Sequence, residues 1–186
     1  MCKSPEGRSE KNLFFVETTG YECLTTRQAC TVESAARTNP HLPITVYMQK
    51  TLLADHNFDW NSGRPKRPRS CRITDSLRQF ENVKFVKEEL AEYTRDTPLW
   101  VLHENFHYND SYYPVHHRSD AVRVAILWKY GGIYLDLDCM VFRPLHCLEN
   151  TVGVNPQSDK EWVENGVMIF DAGHPFLHFL MRYVLG

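Results

Sequence analysis

Two carboxylates interrupt an otherwise apolar run in GGIYLDLDC, residues 131 to 139. Asp136 and Asp138 alternate there with Ile133, Leu135 and Leu137, the period of two expected of extended chain. Side chains two apart on a strand point the same way, so this reading sets the carboxylates roughly 7 Å apart at Cα on one face. Like charges at that range raise each other's pKa unless something positive lies between them. A bound divalent cation is one answer and open water is the other. Hard dications such as Mn2+ or Mg2+ prefer oxygen ligands, and usually combine one or two carboxylates with phosphates of a substrate. One helix upstream, Asp120 and Arg123 stand three apart, on one helical face. Their plain reading is a surface ion pair worth little. The functional reading is a carboxylate that accepts from ligand hydroxyls beside an arginine that supports phosphates. His116-His117 has no third ligand at zinc spacing and reads as surface loop.

The elements that must hold these residues are legible in outline. NLFFVET (12 to 18) and PITVYMQ (43 to 49) read as strands, as does NVKFVKE (82 to 88). CTVESAARTNP, between the first two, favours helix through Glu33, Ala35 and Ala36 and stops at Asn39-Pro40. DWNSGRPKRPRSC is irregular, and ITDSLRQF makes one or two helical turns. ELAEYTRDTPLWVLHENF is helical with a break at Pro98. From Ser119 to Tyr130 a helix is expected, capped by Ser119, with Ala121, Val124, Ala125 and Trp128 on one face. Gly131 suits the left-handed position that ends it, and the strand with the aspartates follows at once. VENGVMIFDA reads as a further strand and HPFLHFLMRYVL as a last helix. Alternating strands and helices predict an α/β sandwich with a mostly parallel sheet. Acids at the end of such a strand sit where these sheets bind ligands.

Composition narrows the partners. The chain has 186 residues, enough for one domain with a real core. We divide it into a polar tail over residues 1–11 and one domain over 12–186. Its net charge of −2 gives no reason to expect nucleic acid or an anionic membrane as partner. The cluster Arg64, Lys66, Arg67, Arg69 and Arg72 is interrupted by proline and reads as a solvated loop. No apolar run is long enough to span a bilayer. The cysteines, Cys2, Cys23, Cys30, Cys71, Cys139 and Cys147, contain no C-x-x-C, and their spacing selects no pairing. With the sequon Asn109-Asp110-Ser111 they lean towards an oxidising secretory lumen. Tyr108, Tyr112 and Tyr113 either line an acceptor groove or pack at a loop base.

The run SDAVRVAILWKYGGIYLDLDCMVFRPL resembles the D-x-D region of the α-1,4-galactosyltransferase and α-1,4-N-acetylglucosaminyltransferase family. NLFFVET and CTVESAARTNP are similar to that family's first strand and helix, and ENGVMIFDAGHPFLHFLMRYV to the segment after its D-x-D. The resemblance covers residues 12 to 185, with a poorer match over 50 to 80.

It implies a GT-A fold, a UDP-sugar donor and a retaining transfer of galactose or an N-acetylhexosamine. The acceptor would be a terminal sugar of a glycolipid or glycoprotein, in the Golgi lumen. Carried over by position, Asp138 would coordinate Mn2+ or Mg2+. Asp136 would contact the ribose or sugar and reach the metal through water. Asp120 and Arg123 would hold the transferred sugar, Tyr134 would shape the pocket floor, and Asn165, before Gly166, would lie near the donor sugar. No residue declares itself as a catalytic nucleophile. The competing reading is a non-catalytic sugar-nucleotide-binding or interaction module on the same fold. The family's members carry an N-terminal membrane tether, and a later G-H-Q-G-P-like stretch and histidine that complete the metal shell. This chain contains neither segment, so the expectations are tethering only through a missing segment, weak donor binding with little or no transfer, and partial exposure of Phe176, Phe179 and Met181.

Overall fold

The computed structural model describes residues 11–50, 58–59, 64–65, 71–104, 112–155 and 162–185. The sequon, Tyr108 and most of the arginine-rich stretch lie outside the described residues. The strands are β1 (Leu13–Glu17), β2 (Ile44–Gln49), β3 (Phe58–Asp59), β4 (Arg64–Pro65), β5 (Val83–Glu88), β6 (Gly132–Leu135), β7 (Thr151–Asn155) and β8 (Trp162–Phe170). The helices are α1 (Thr26–Thr38), α2 (Arg72–Ser76), α3 (Trp100–Glu104), α4 (Pro114–Tyr130) and α5 (Pro175–Leu185). Apart from the short β3–β4 ladder, the strands form one sheet in the order β5-β2-β1-β6-β8-β7. β5, β2, β1 and β6 run parallel, while β8 is antiparallel to both β6 and β7. The mostly parallel α/β sheet is as expected. β7 is not, because TVGVN carries Gly153 at a register shift and ends in Asn155, both weak strand formers.

Both faces of the sheet are covered, and for that reason β1 is buried along its whole length. Leu13 and Phe15 join Val46, Ile133 and Leu135 against Val32, Ala35 and Ala36 of α1. Phe14 and Val16 point the other way, into a second core with Tyr134, Met168 and the α4 residues Val122 and Ile126. Each large apolar side chain buried in this way stabilises the fold by about 1.5–3 kcal/mol. The alternation in GGIYLDLD is therefore two apolar faces, with Tyr134 buried just as Ile133 is.

α1 starts one turn earlier than the sequence suggested. Thr25 accepts from the Gln28 N–H while the Gln28 side chain accepts from the Thr25 N–H, a reciprocal cap. Asn39 ends the helix through its N–H on Ala35 O, and its side-chain oxygen takes the N–H of Leu145. With Ser34 Oγ accepting from Val141 N–H, α1 thus fixes the chain that leaves the aspartate pair.

α4 departs from expectation at both ends. It begins at Pro114, whose fixed φ and missing N–H suit the first turn, so Ser119 is an interior residue and not the cap. The same extension puts His116 and His117 on helix rather than loop. Residues 121 to 127 are buried all round, not along one stripe, since α4 packs against the sheet, against α5 and against the turn over Leu90–Thr94. At its end Gly131 has the positive φ expected, 65°, but an extended ψ of −172°, which sends the chain straight into β6. Gly132 is the tighter position: a Cβ there would lie 2.3 Å from Asn12 O. That closeness lets Ile133 N–H bond Asn12 O and seats β6 beside β1.

Candidate donor-binding cleft

β6 stops at Leu135, so the two aspartates do not share a strand face as the alternation implied. The Asp136 N–H still bonds Gly166 O on β8 (2.8 Å), after which the chain turns, with Cys139 N–H on Asp136 O (3.0 Å). Asp136 therefore opens a tight turn at the carboxyl edge of the sheet, and Asp138 lies within it. Asp136 is half-buried and Asp138 exposed. Gly166 leaves space for the first of them: a Cβ there would meet Asp136 Oδ2 at 2.9 Å.

Arg123 organises the rest. Its side chain is only 7% exposed, and its Nη1 makes an ion pair with Asp136 Oδ1 at 3.1 Å. Nη2 reaches Asp120 Oδ1 at 3.4 Å and donates to Ser119 Oγ at 3.0 Å. Nη1 also donates to the carbonyl and side-chain oxygens of Asn165, both at 3.1 Å. The Asn165 amide in turn donates to Asp120 Oδ1 at 2.8 Å. Tyr134 lies beneath, its ring 4.7 Å from the guanidinium and its hydroxyl donating to Asp136 Oδ1. Burial raises that hydroxyl well above its usual pKa; Arg123 opposes the rise and Asp136 adds to it. Tyr134 is therefore a neutral donor at any working pH. The structure brings together Asp120, Arg123, Tyr134, Asp136 and Asn165, from α4, β6 and β8. Arg123 itself is spent on neighbours, so it reaches a ligand through the side chains it holds.

Asp120, Arg123, Asp136 and Asn165 line a cleft of about 520 Å³, with Tyr134 buried behind them. Glu17 at the end of β1, Thr18 and Thr19 after it, and Thr25, Arg27 and Gln28 at the start of α1 line the same cleft. Asp138 also lines the cleft; it accepts from the Cys139 thiol at 3.8 Å and has no ion-pair partner among the described residues. Asp136 already gives Oδ1 to Arg123 and Tyr134. Among the described residues no three His, Cys, Asp or Glu side chains gather as a metal cage. Two exposed or half-exposed carboxylates, each engaged at only one oxygen, nonetheless fit a hard dication that completes its shell with phosphates and water. Cys139, just after the pair, has its thiol pushed up to about 11, by burial first and then by Asp138 and Asp136, so it stays protonated.

Several residues fall elsewhere. Tyr112 and Tyr113 are exposed and line no part of the cleft, although His116, in edge contact with Tyr113, does. Met181 is fully buried against α4 rather than exposed, because α5 turns that side inward; Phe176 and Phe179 face outward as expected. Glu17 and Ser119 were missed by the sequence reading. The one available signal for Glu17 was an acid ending an apolar strand, the same signature that drew notice to Asp136.

The fold and the family can be compared with known proteins. A structure titled PaToxG Glycosyltransferase superposes with a TM-score of 0.62 at 15% identity, covering 93% of this chain and 59% of that one. That likeness concerns fold alone, and it is of the GT-A type. Human lactosylceramide 4-alpha-galactosyltransferase is 35% identical over 95% of this chain and 46% of its own length. Human alpha-1,4-N-acetylglucosaminyltransferase is 32% identical over 80% of this chain and 40% of its own. The chain thus spans about half the length of the curated relatives it matches. Residues 25–159 match the family described as glycosyltransferase sugar-binding region containing DXD motif, and the chain belongs to that family.

Proposed function

We propose that this chain is the donor-binding part of a retaining glycosyltransferase. It moves galactose or an N-acetylhexosamine from a UDP-sugar to a terminal sugar of a glycolipid or glycoprotein, forming an α-1,4 linkage. The relatives named for lactosylceramide and for α-1,4 transfer support the acceptor class and the linkage. The observation that carries the reading is the cleft itself. Asp138, with no ion-pair partner among the described residues, lines it together with an Asp120–Asn165–Arg123–Asp136 network that presents oxygen acceptors from three elements.

The chemistry follows from those groups. Asp120 accepts from hydroxyls of the transferred sugar, Asn165 donates to them through its amide, and Arg123 holds both in register. Asp136 takes a ribose or sugar hydroxyl, its carboxylate fixed by Tyr134. Asp138, together with Asp136, would hold a Mn2+ or Mg2+ ion, which would supply Lewis-acid stabilisation of the leaving diphosphate. The anomeric carbon passes through an oxocarbenium-like state. The bond to the acceptor oxygen forms on the face from which the diphosphate leaves, and the acceptor proton passes to a phosphate oxygen. This front-face route needs no protein nucleophile.

The bond between Cys23 and Cys71, which joins residues 48 apart, supports assembly in an oxidising lumen such as the Golgi. No helix among the described residues is long and apolar enough to cross a membrane. Incubation with Mn2+, a panel of UDP-hexoses and a lactose-terminated glycolipid tests the reading through release of UDP. Manganese-dependent release of UDP from a galactose or N-acetylhexosamine donor supports the reading. Tight UDP binding with no turnover for any donor would select a non-catalytic sugar-nucleotide-binding module instead.

A further inference from the structure

Tyr113, His116, Asp120 and Arg123 follow one another at spacings of three, four and three residues, which sets them along one side of α4 and the residue before it. Exposure falls along that line. Tyr113 is 63% exposed, the Asp120 side chain 44% and the Arg123 side chain 7%. Asp120 and Arg123 belong to the buried network, and His116 lines the same cleft. Tyr113 stands outside it, yet its ring meets that of His116 edge-on, with centroids 6.0 Å apart. One side of the helix thus leads from the buried arginine out to an exposed aromatic ring.

The outer end of that line is held in place. Tyr113 O accepts from the His117 N–H at 3.0 Å. Thr18 Oγ1 donates to Val115 O at 3.2 Å, which ties the start of α4 to the chain after β1. Pro114, at the first helical position, fixes the backbone between them. Distance along the helix says what lies against the ring. His116 is one turn farther out than Asp120, about 6 Å along the axis, and Tyr113 about 4.5 Å beyond that. With the transferred sugar on Asp120, the next group outward is the one that receives it.

We infer that Tyr113 is the platform for the acceptor, whose terminal galactose stacks its C–H face on the ring, with His116 between it and the transferred sugar. The inference rests on the glycosyltransferase reading and places the second substrate within it. Galactose carries the C–H bonds at C3, C4 and C5 as an apolar patch on one face, which suits an aromatic ring with a wet edge. Its axial 4-hydroxyl stands on the opposite face, so stacking leaves the nucleophile of an α-1,4 transfer uncovered. A nucleotide base also stacks on tyrosine, but the base belongs to the donor, and Tyr113 lines no part of the donor's cleft. Tyr113 therefore selects and orients the acceptor and takes no part in bond breaking.

The test is saturation-transfer NMR of methyl β-lactoside with the chain in Mn2+ and saturating UDP, titrated to give the affinity. The unaltered chain should saturate the galactose H3, H4 and H5 more strongly than the glucose protons. Tyr113→Ala should weaken lactoside binding about 3- to 10-fold, while Tyr113→Phe keeps most of it and UDP affinity stays the same in both. Methyl β-N-acetyllactosaminide carries the same galactose on the ending typical of glycoproteins. Binding of either probe through that ring supports the subsite, and the tighter one names the source. Lactoside affinity unchanged in Tyr113→Ala overturns the inference. An equal loss of UDP affinity in that variant does so too, since it assigns the ring to the base. Saturation centred on the glucose protons overturns it with no variant involved. So does a chain that binds UDP but neither disaccharide. Failure to bind UDP at all is a different result, which removes the donor reading and this inference with it.

Discussion

Arg123 Nη1 stands 3.1 Å from Asp136 Oδ1, and the same guanidinium reaches Asp120 Oδ1 at 3.4 Å. One buried cation from the middle of α4 thereby joins an acid on its own helix to the acid that ends β6. Without it, two carboxylates would converge on one small cleft with nothing between them to offset their repulsion. Arg123 is thus the reason the acidic end of the cleft can exist in the absence of ligand.

Arg123→Met keeps much of the side chain's volume and removes the charge and all five donors. Asp120 and Asp136 are both partly exposed, so their loss of partner is cushioned by water. We expect a destabilisation of about 2–3 kcal/mol, the low end for breaking a buried pair, measured by urea unfolding. A change under about 0.5 kcal/mol would show that the network stabilises nothing.

Gly132→Ala should be worse. Gly132 has φ of 113°, and the added Cβ would sit 2.3 Å from the backbone oxygen of Asn12. Neither strain nor clash can be relieved by a side-chain movement, because the neighbour is main chain of the adjoining strand. A loss of about 3 kcal/mol or more is expected in thermal or urea unfolding. Stability equal to that of the unaltered chain would mean that β6 is not seated on Asn12 as described.

Cys23 and Cys71 are bonded across a separation of 48 residues, which ties the approach to α1 to the start of α2. Replacing both by serine should cost about 3–4 kcal/mol by loss of the crosslink. Cys147 is disulfide-bonded too, so the paired substitution isolates this bridge where a reductant would not. An unchanged unfolding midpoint would place the bond outside the native fold.

The legible parts of the molecule were those written in local pattern. The apolar runs NLFFVET and PITVYMQ, the Gly131-Gly132 stop and the acids after Leu135 all carry their meaning in neighbouring residues. What the sequence hid was tertiary. The alternation through Tyr134 and Asp136 reads as one polar face because a chain does not announce that both faces of its sheet are covered. Ser119 looks like a cap, and only the position of Pro114 moves the helix start back and turns Ser119 into a partner of Arg123. Glu17 looks like an ordinary strand end until its unpartnered oxygen is seen. β7 depends on β8 for its pairing, and its own residues favour strand weakly.

The central claim is that Asp138 holds a dication for a nucleoside diphosphate in this cleft. Calorimetric titration of UDP with and without Mn2+, into the unaltered chain and Asp138→Asn, tests it most directly. Asparagine keeps the shape and removes the charge. UDP binding should strengthen at least 10-fold with Mn2+ in the unaltered chain, and Asp138→Asn should abolish that gain while leaving the fold intact. Asp138→Asn binding UDP with an unchanged manganese dependence would contradict the account.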